Sequence, residues 1–305
     1  MPALQTTLGP KRRDELGMIL PHEHVFVDLR THDQPGYAEA DPAGVVRLMA
    51  GPIVEAMAAG VTAIVEPSTV GVGRRVDILL AVSRATGMPL VVPTGVYREP
   101  WVTPWAHGAT VEELANWMTA EIETGIEDTG VRAGWVKVSA GDDGITPVEA
   151  KILRAAARAS ARTGAAIGSH TIRGQVVRDQ LAILADESCP SERFIWIHAQ
   201  QEPDIAIHHD LARQGVWIEY DGIGDPADDD RYLVLVRAAL QHGLGHRVLL
   251  SQDLGWYDPA EPGGGTPRPY THLPIVFLDR LRAVGVDGTT VDALVRDNPF
   301  AAFAR

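Results

Sequence analysis

Four histidines, one lysine and one aspartate of this 305-residue chain stand in or directly after short apolar runs. Imidazole nitrogens and carboxylate oxygens are ligands that suit Zn²⁺ and similar divalent ions. A lone histidine at a strand end is more often a hydrogen-bonded structural residue, so the argument for a metal site rests on the whole set. Its members are His22 and His24 in LPHEH, Lys137 in GWVKVSAG, His170 in IGSHT, His198 in IWIHAQ and Asp253 in LLSQD.

Two features of this set are unusual: the spacing of His22 and His24, and the position of Lys137 in an apolar run. Side chains alternate along a strand, so His22 and His24 project to the same side if MILPHEHVFV is extended. Lys137 lies inside an apolar run, where burying an unpaired ammonium group costs several kcal/mol. A common site with a chemical role for the lysine therefore explains the pattern better than six unrelated polar residues do.

The elements that position these residues are eight apolar runs, separated from one another by helical stretches. Near-continuous apolar runs are typical of buried parallel strands, and strict alternation with helices favours a parallel sheet. Eight such units over this length predict a (β/α)8 TIM barrel, an α/β fold, that forms a single domain over residues 1–305. The predicted strands are Met18–Leu20, Val61–Glu66, Leu90–Tyr97, Gly134–Ser139, Ala165–His170, Phe194–Ala199, Val216–Asp221 and Arg247–Asp253.

A barrel would bring the six residues together, because the C-terminal ends of its strands meet at one mouth. A doubly wound open sheet is the alternative fold. No G-x-G-x-x-G follows the first strand, which weakens a dinucleotide-binding version of that alternative. The glycine-rich segment Glu261–Pro269 follows the eighth strand, and we expect it to form a mobile loop over the mouth.

Composition argues against several classes of partner. Lys and Arg total 27 against 40 Asp and Glu, which gives a net charge of −13. A chain this acidic is repelled by nucleic-acid phosphates and by anionic lipid, so neither is an expected partner. Cys189 is the only cysteine, and the N-terminal segment lacks the apolar run of a signal peptide. No apolar run approaches the ~20 residues of a membrane span, so we expect a cytoplasmic protein.

Taken together, the motifs around these six residues and the closing RDNPFAAF resemble the phosphotriesterase family of the amidohydrolase superfamily. They occur in the family's order over nearly the whole chain. The resemblance implies a (β/α)8 barrel with two divalent metal ions, for which Zn²⁺ is the first expectation and Mn²⁺, Co²⁺ or Fe²⁺ are substitutes. It further implies that the more buried ion binds His22, His24 and Asp253, and the more exposed ion His170 and His198.

The same resemblance implies that Lys137 is carbamylated. Reaction with CO₂ would turn its ammonium group, which has no free lone pair, into a carbamate whose two anionic oxygens bridge both ions. A hydroxide would form the second bridge and act as the nucleophile. Asp253 would accept the proton of that nucleophile, so it is a predicted catalytic residue as well as a metal ligand.

Residues outside the six bear on the substrate. Tyr97, in TGVYREP, matches a tyrosine that faces the metals in lactonase-like family members and is the second predicted catalytic residue; the alternative is an ordinary interior aromatic side chain. Acyl-homoserine-lactone hydrolases of the family carry an arginine just after the aspartate of EYDGIGDP, where this chain has Gly222. Arg98, Arg173 and Arg268 could fold inward, but we expect them at the solvated surface.

The expected function is therefore metal-dependent hydrolysis of a lactone or other small carboxylic ester. Hydrolysis of a phosphotriester or an amide is the alternative reaction. Non-catalytic binding of metal and a small molecule is the alternative class, and the complete set of six residues argues against it. A homodimer is compatible with the sequence, which leaves the assembly open.

Overall fold

The eight apolar runs form a parallel barrel in the computed structural model, which describes residues 1–305. Strands β1, β3 and β4 are hydrogen-bonded neighbours, and β5 to β10 follow one another in chain order, so the predicted (β/α)8 fold is confirmed. The strands are β1 Met18–Leu20, β2 His24–Phe26, β3 Val61–Val65, β4 Leu90–Val91, β5 Pro93–Thr94, β6 Trp135–Ser139, β7 Ile167–His170, β8 Phe194–Ile197, β9 Trp217–Tyr220, β10 Val248–Leu250 and β11 Gly255–Tyr257.

The barrel closes between its first and last strands through the segments that follow β1 and β10. The Asp253 N–H donates to the His22 carbonyl oxygen at 3.1 Å. The Ser251 hydroxyl accepts from the His22 N–H at 2.9 Å and donates to the His22 carbonyl oxygen at 3.0 Å. These bonds hold the ends of two predicted site strands side by side.

The third barrel strand is shorter than the predicted Leu90–Tyr97 and is split at Val92. Its first half, β4, pairs with β3, and its second half, β5, pairs with β6. The physical reason for the split is Pro93, because proline has no N–H to continue a ladder of hydrogen bonds. Both neighbours are still paired, so the barrel wall is continuous there.

The helices pack around the outside of the barrel, and α5 illustrates why they form where they do. Thr146 caps its first turn, with reciprocal hydrogen bonds between Thr146 and Glu149, and Gly164 ends it in the left-handed conformation at φ 80°. Its apolar face packs on β6 and β7. The helices are α1 Pro42–Ala58, α2 Val76–Thr86, α3 Pro104–Gly108, α4 Val111–Glu123, α5 Pro147–Thr163, α6 Gly174–Asp186, α7 Ile205–Arg213, α8 Asp229–Gln241, α9 Leu278–Ala283, α10 Gly288–Asp292 and α11 Asn298–Phe303.

Two apolar cores leave one end of the barrel free for polar chemistry. The larger core lies between the strands and the helices. The smaller core fills the barrel interior and is closed at the N-terminal ends of the strands by α11, where Phe303 meets Trp135 at a ring separation of 5.3 Å. None of the helices combines the length and the apolar character needed to cross a lipid bilayer.

One feature of the strand pattern was not predicted. β2 and β11 form a separate two-stranded parallel ribbon at the mouth, with Gly255 opposite His24 and Tyr257 opposite Phe26. A Cβ atom at Gly255 would lie 2.1 Å from the His24 carbonyl oxygen, so only glycine permits this close approach. The ribbon thereby places the segment after Asp253 directly against the HEH motif.

Candidate metal centre

The six predicted residues surround one small cavity at the C-terminal ends of the strands. The cavity has a volume of about 130 Å³. Apolar side chains, among them Leu29, Val72 and Trp256, form the remainder of its wall. The polar side chains that line it are His22, His24, Tyr97, Lys137, His170, His198 and Asp253.

His22, His24 and Asp253 form one side of the cavity. The Asp253 Oδ1 atom lies 3.2 Å from His24 Nε2 and 3.7 Å from His22 Nε2. Although His22 follows β1 and His24 begins β2, their rings lie 5.7 Å apart and both face the same carboxylate. Donor atoms of His22, His198 and Asp253 also lie within 4.8 Å of one another, a separation that a single metal ion can span.

His170 and His198 form the opposite side of the cavity, with ring centroids 4.3 Å apart. The Tyr97 hydroxyl lies 3.0 Å from His170 Nδ1, so the predicted tyrosine reaches the site and contacts a predicted ligand. Lys137 projects from the middle of β6 and is 3% exposed. All seven predicted side chains are therefore brought together.

Two of the predicted ligands adopt a backbone conformation that L-residues rarely use. His198 has φ 63° and Asp253 has φ 55°, both in the left-handed region. This conformation costs about 1–2 kcal/mol for a residue with a Cβ atom. The Asp221 carboxylate stabilises the turn at His198 by accepting its N–H at 2.8 Å. Backbone strain at these two residues indicates that the site requires their side chains to point into the cavity.

Sequence reasoning missed the side chains that orient the imidazoles. Glu219 accepts from His22 Nδ1 at 2.7 Å, and Asp221 accepts from His198 Nδ1 at 2.7 Å. Ser68 lies 2.7 Å from His24 Nδ1. Occupation of Nδ1 fixes the ring and leaves Nε2 for a metal, as in many zinc sites. The signal in the sequence was the pair of carboxylates within the apolar run VWIEYD.

Burial shifts the acid–base behaviour of the cavity. It lowers the pKa of Lys137 to about 8, although nearby carboxylates, Glu219 first among them, act in the opposite direction. Burial and the nearby cations hold the pKa of His22 and of His170 well below the usual range. Burial would also lower the pKa of His24, but the adjacent carboxylates of Asp253 and Glu66 outweigh it and raise that pKa to about 9.

The donor set fits a divalent metal. Asp253 Oδ1 is buried without a hydrogen-bond partner, although it faces two imidazole nitrogens. A buried carboxylate oxygen left unpaired is costly, and a cation between it and the imidazoles would remove that cost. Four imidazoles and a carboxylate are also the ligand types that zinc selects. The residues present can therefore hold a divalent ion of this kind.

Zinc affinity is expected to rise at least about tenfold per pH unit between pH 6 and 8. His24 carries a proton in the metal-free protein below pH 9, and a ligating imidazole must lose it. Zinc binding thus releases at least one proton, and raising the pH favours the bound state. Competition with a chromophoric chelator at several pH values measures this slope. His246→Ala removes an exposed histidine outside the cavity, so this control should show the same slope of zinc affinity against pH. A zinc affinity that does not change with pH would contradict the prediction.

A larger cleft of about 610 Å³ adjoins the cavity and shares His198, Asp253 and Trp256 with it. Its other lining residues are mostly polar and include Arg268 and Pro269 from the predicted glycine-rich loop. Arg268 is exposed, as expected, and its guanidinium group lies 5.0 Å from the Trp256 ring centroid. The expectation for Arg98 was wrong, since its side chain is only 19% exposed and pairs with Asp142.

Gly222 also lines this cleft, and its surroundings explain why the position holds glycine. A Cβ atom there would lie 2.2 Å from the Tyr232 hydroxyl. An arginine at this place, as in the acyl-homoserine-lactone hydrolases of the resemblance, would therefore require Tyr232 to move.

Comparisons with known proteins agree with the motifs. The phosphotriesterase family model matches residues 2–303. A phosphotriesterase homology protein of Mycobacterium tuberculosis is 31% identical over 100% of this chain and 98% of its own length.

Two solved structures are similar over almost the whole fold. A variant of an organophosphorus hydrolase from Deinococcus radiodurans has a TM-score of 0.87 and 30% identity, over 99% of this chain and 97% of that one. A lactonase from Listeria monocytogenes has a TM-score of 0.85 and 25% identity, over 99% and 98%. The chain described here is a hydrolytic enzyme and belongs to the phosphotriesterase family.

Proposed function

We propose that this enzyme hydrolyses a lactone or another small carboxylic ester with the help of two divalent metal ions, most simply Zn²⁺. His22, His24 and Asp253 would hold the more buried ion, and His170 and His198 the more exposed one. When bound, such ions make water nucleophilic near neutral pH and polarise the oxygen of the substrate bond. Side chains of this chain would accept and donate protons and orient the substrate.

The observation that carries the proposal is the division of the site into two spaces. The reacting atom of a carboxylic ester carries two substituents, whereas phosphorus in a triester carries three besides its polarised oxygen. The cavity between the predicted ligands has apolar side chains, among them Leu29, Val72 and Trp256, on part of its wall, and a wide polar cleft adjoins it. Two substituents of different character fit this arrangement, and a third has no separate place.

Asp253 and Tyr97 are the side chains that act on the reacting atoms in this proposal. Asp253 is 27% exposed and lies where both spaces meet, so its carboxylate can accept the proton of the attacking water. Burial raises the pKa of Tyr97, which keeps its hydroxyl protonated. If His170 presents Nε2 to a metal, its Nδ1–H donates to the Tyr97 oxygen, and the phenol hydrogen is free for the substrate.

Lys137 supplies the link between the two ions in this scheme. We propose that its neutral amine attacks CO₂ and loses one N–H proton to water, which gives a carbamate whose two oxygens would each face one ion. Only the neutral amine reacts with CO₂. A pKa of about 8 makes this form more abundant near neutral pH than for an ordinary lysine, whose pKa is about 10.4. Supporting observations are its burial and its place on the cavity wall.

The proposed setting of the reaction follows from composition. The net charge of −13 disfavours nucleic acid and anionic lipid surfaces as partners, so the partner we propose is the small-molecule substrate alone. The lone Cys189 is free and buried, which suits a protein of the reducing cytoplasm. A homodimer is compatible with this proposal and does not enter it.

A substrate panel tests the proposal. Protein reconstituted with Zn²⁺ and bicarbonate is assayed on lactones with short polar substituents, simple esters, an amide and an aryl dialkyl phosphate. We expect kcat/KM for the best lactone or ester to exceed that for the triester by about a hundredfold, because the triester leaves one substituent without a pocket. Metal-stripped protein is the control and should be inactive.

The other outcomes are equally clear. A triester that is hydrolysed faster than every lactone and ester would reverse the assignment. Faster hydrolysis of the amide would point to the alternative leaving group. Protein that holds two ions yet turns over no compound of the panel would indicate a binding protein rather than an ester hydrolase.

A further inference from the structure

We propose that Arg268 and Trp256 together form an outer clamp that positions Asp253. The clamp rests on the proposed function, because its purpose is to hold the predicted metal ligand and proton acceptor in place. Neither residue belongs to the set of predicted ligands. Both are positioning residues that act through the backbone of Asp253.

The clamp converges on a single atom. The carbonyl oxygen of Asp253 accepts hydrogen bonds from the Trp256 indole N–H at 3.1 Å and from the Arg268 guanidinium at 3.1 Å. Two side-chain donors on one carbonyl fix the orientation of the peptide plane that follows Asp253. The direction of the Asp253 side chain depends on this backbone orientation.

The two clamp residues also hold each other. The Arg268 guanidinium carbon lies 5.0 Å from the Trp256 ring centroid, within the range of a cation–π contact. The Arg268 backbone N–H donates to the Gly255 carbonyl oxygen at 2.9 Å. The Trp256 ring also meets His24 edge to face at 5.2 Å. The clamp is therefore anchored to the ribbon of β2 and β11.

The need for a clamp arises from the conformation of Asp253. Its φ of 55° is unfavourable for a residue with a side chain, and Trp256 itself has φ 72°. From the inside, the buried Glu23 carboxylate accepts the N–H groups of Gln252 and Leu254, both at 2.9 Å. These bonds hold the residues on either side of Asp253 but leave its own carbonyl free. The clamp supplies the outer half of the restraint.

Arg268 lies in the polar cleft, so the competing role is recognition of a negatively charged substrate group. The two roles differ in what they change. A substrate contact affects KM and leaves metal binding untouched. A clamp affects zinc affinity and kcat, because a misdirected Asp253 carboxylate weakens both functions assigned to it.

The experiment uses full-length Arg268→Ala, Trp256→Phe and the double variant. Phenylalanine keeps a ring for packing and removes the indole N–H. We expect each single variant to bind zinc about tenfold more weakly and to lose about tenfold in kcat, with KM within about twofold of wild type. The double variant should lose more than either single variant. Arg47→Ala, which removes an exposed arginine of α1, is the matched control and should behave as wild type.

Zinc affinity is measured by chelator competition, and thermal unfolding of the metal-free variants shows whether they remain folded. Unchanged zinc affinity with a raised KM would overturn the clamp in favour of substrate recognition. Variants equal to wild type in both zinc affinity and kcat would overturn the clamp alone. A wild-type protein that binds no zinc would overturn the proposed function and the clamp with it.

Discussion

Replacing Asp253 with asparagine is expected to lower kcat by about 10²–10⁴-fold, the usual worth of a general base. Asparagine keeps the size of the side chain and one oxygen, but its amide has almost no basicity. In wild type, Asp253 Oδ1 is buried, unpaired and 3.2 Å from His24 Nε2, at the junction of the cavity and the cleft. The measurement is kcat on the best ester, together with the zinc content of the variant.

The control for this substitution is Asp258→Asn in the loop that follows. Asp258 Oδ1 accepts the Ala260 N–H at 2.8 Å, and asparagine retains that acceptor, so wild-type activity is expected. If Asp253→Asn holds both ions and turns over at the wild-type rate, Asp253 is not the proton acceptor. If it loses zinc as well as activity, its role as a ligand is sufficient to account for the loss.

The barrel could be predicted from the sequence because a buried parallel strand needs an apolar run and a crossover helix. β1 and β3 lie within one residue of their predicted bounds. The register of β6 and β7 places Ser139 opposite His170 at the mouth, which is why residues near strand ends meet. The split of the third strand at Val92 was missed, although Pro93 was visible in the run.

The local geometry of the site was beyond the sequence for a different reason. The left-handed backbone of His198 and Asp253 is imposed by long-range hydrogen bonds, and no residue type in IWIHAQ or LLSQD requires it. Likewise, β11 pairs with β2 from the other end of the chain, a contact that only barrel closure creates. The contacts of Arg268 depend on that ribbon and were therefore not foreseen.

The carboxylates that orient the imidazoles, in contrast, could have been predicted from the same alternation of side chains that predicted the two histidines. Alternation places Glu219 and Asp221 on the same side of β9, just as it was used for His22 and His24. A buried carboxylate needs a partner, and an imidazole at a neighbouring strand end is a natural one. The same alternation puts Glu23 on the opposite side of HEH, where it holds the turn that carries Asp253.

Lys137→Ala is expected to lose about a thousandfold in kcat, since support of the developing charge by the metal pair is worth several kcal/mol and each ~1.4 kcal/mol is tenfold. Lys137 is buried on β6, so alanine leaves an empty space beside the predicted ligands. A short carboxylic acid such as acetate fits that space and offers two oxygens in place of those of the proposed carbamate. We therefore expect added acetate to restore part of the activity.

Lys137→Met tests whether acetate acts by filling the empty space that Lys137→Ala leaves. Methionine fills the place of the lysine stem without offering an oxygen, so this variant should be as inactive as Lys137→Ala and should not respond to acetate. In wild type, isotope-labelled bicarbonate should give a carbamate signal by NMR that both variants lack. A Lys137→Met enzyme with wild-type turnover, or an active zinc-loaded wild type without the signal, would refute the proposed carbamate, because the proposal needs a carboxylated side chain at this position.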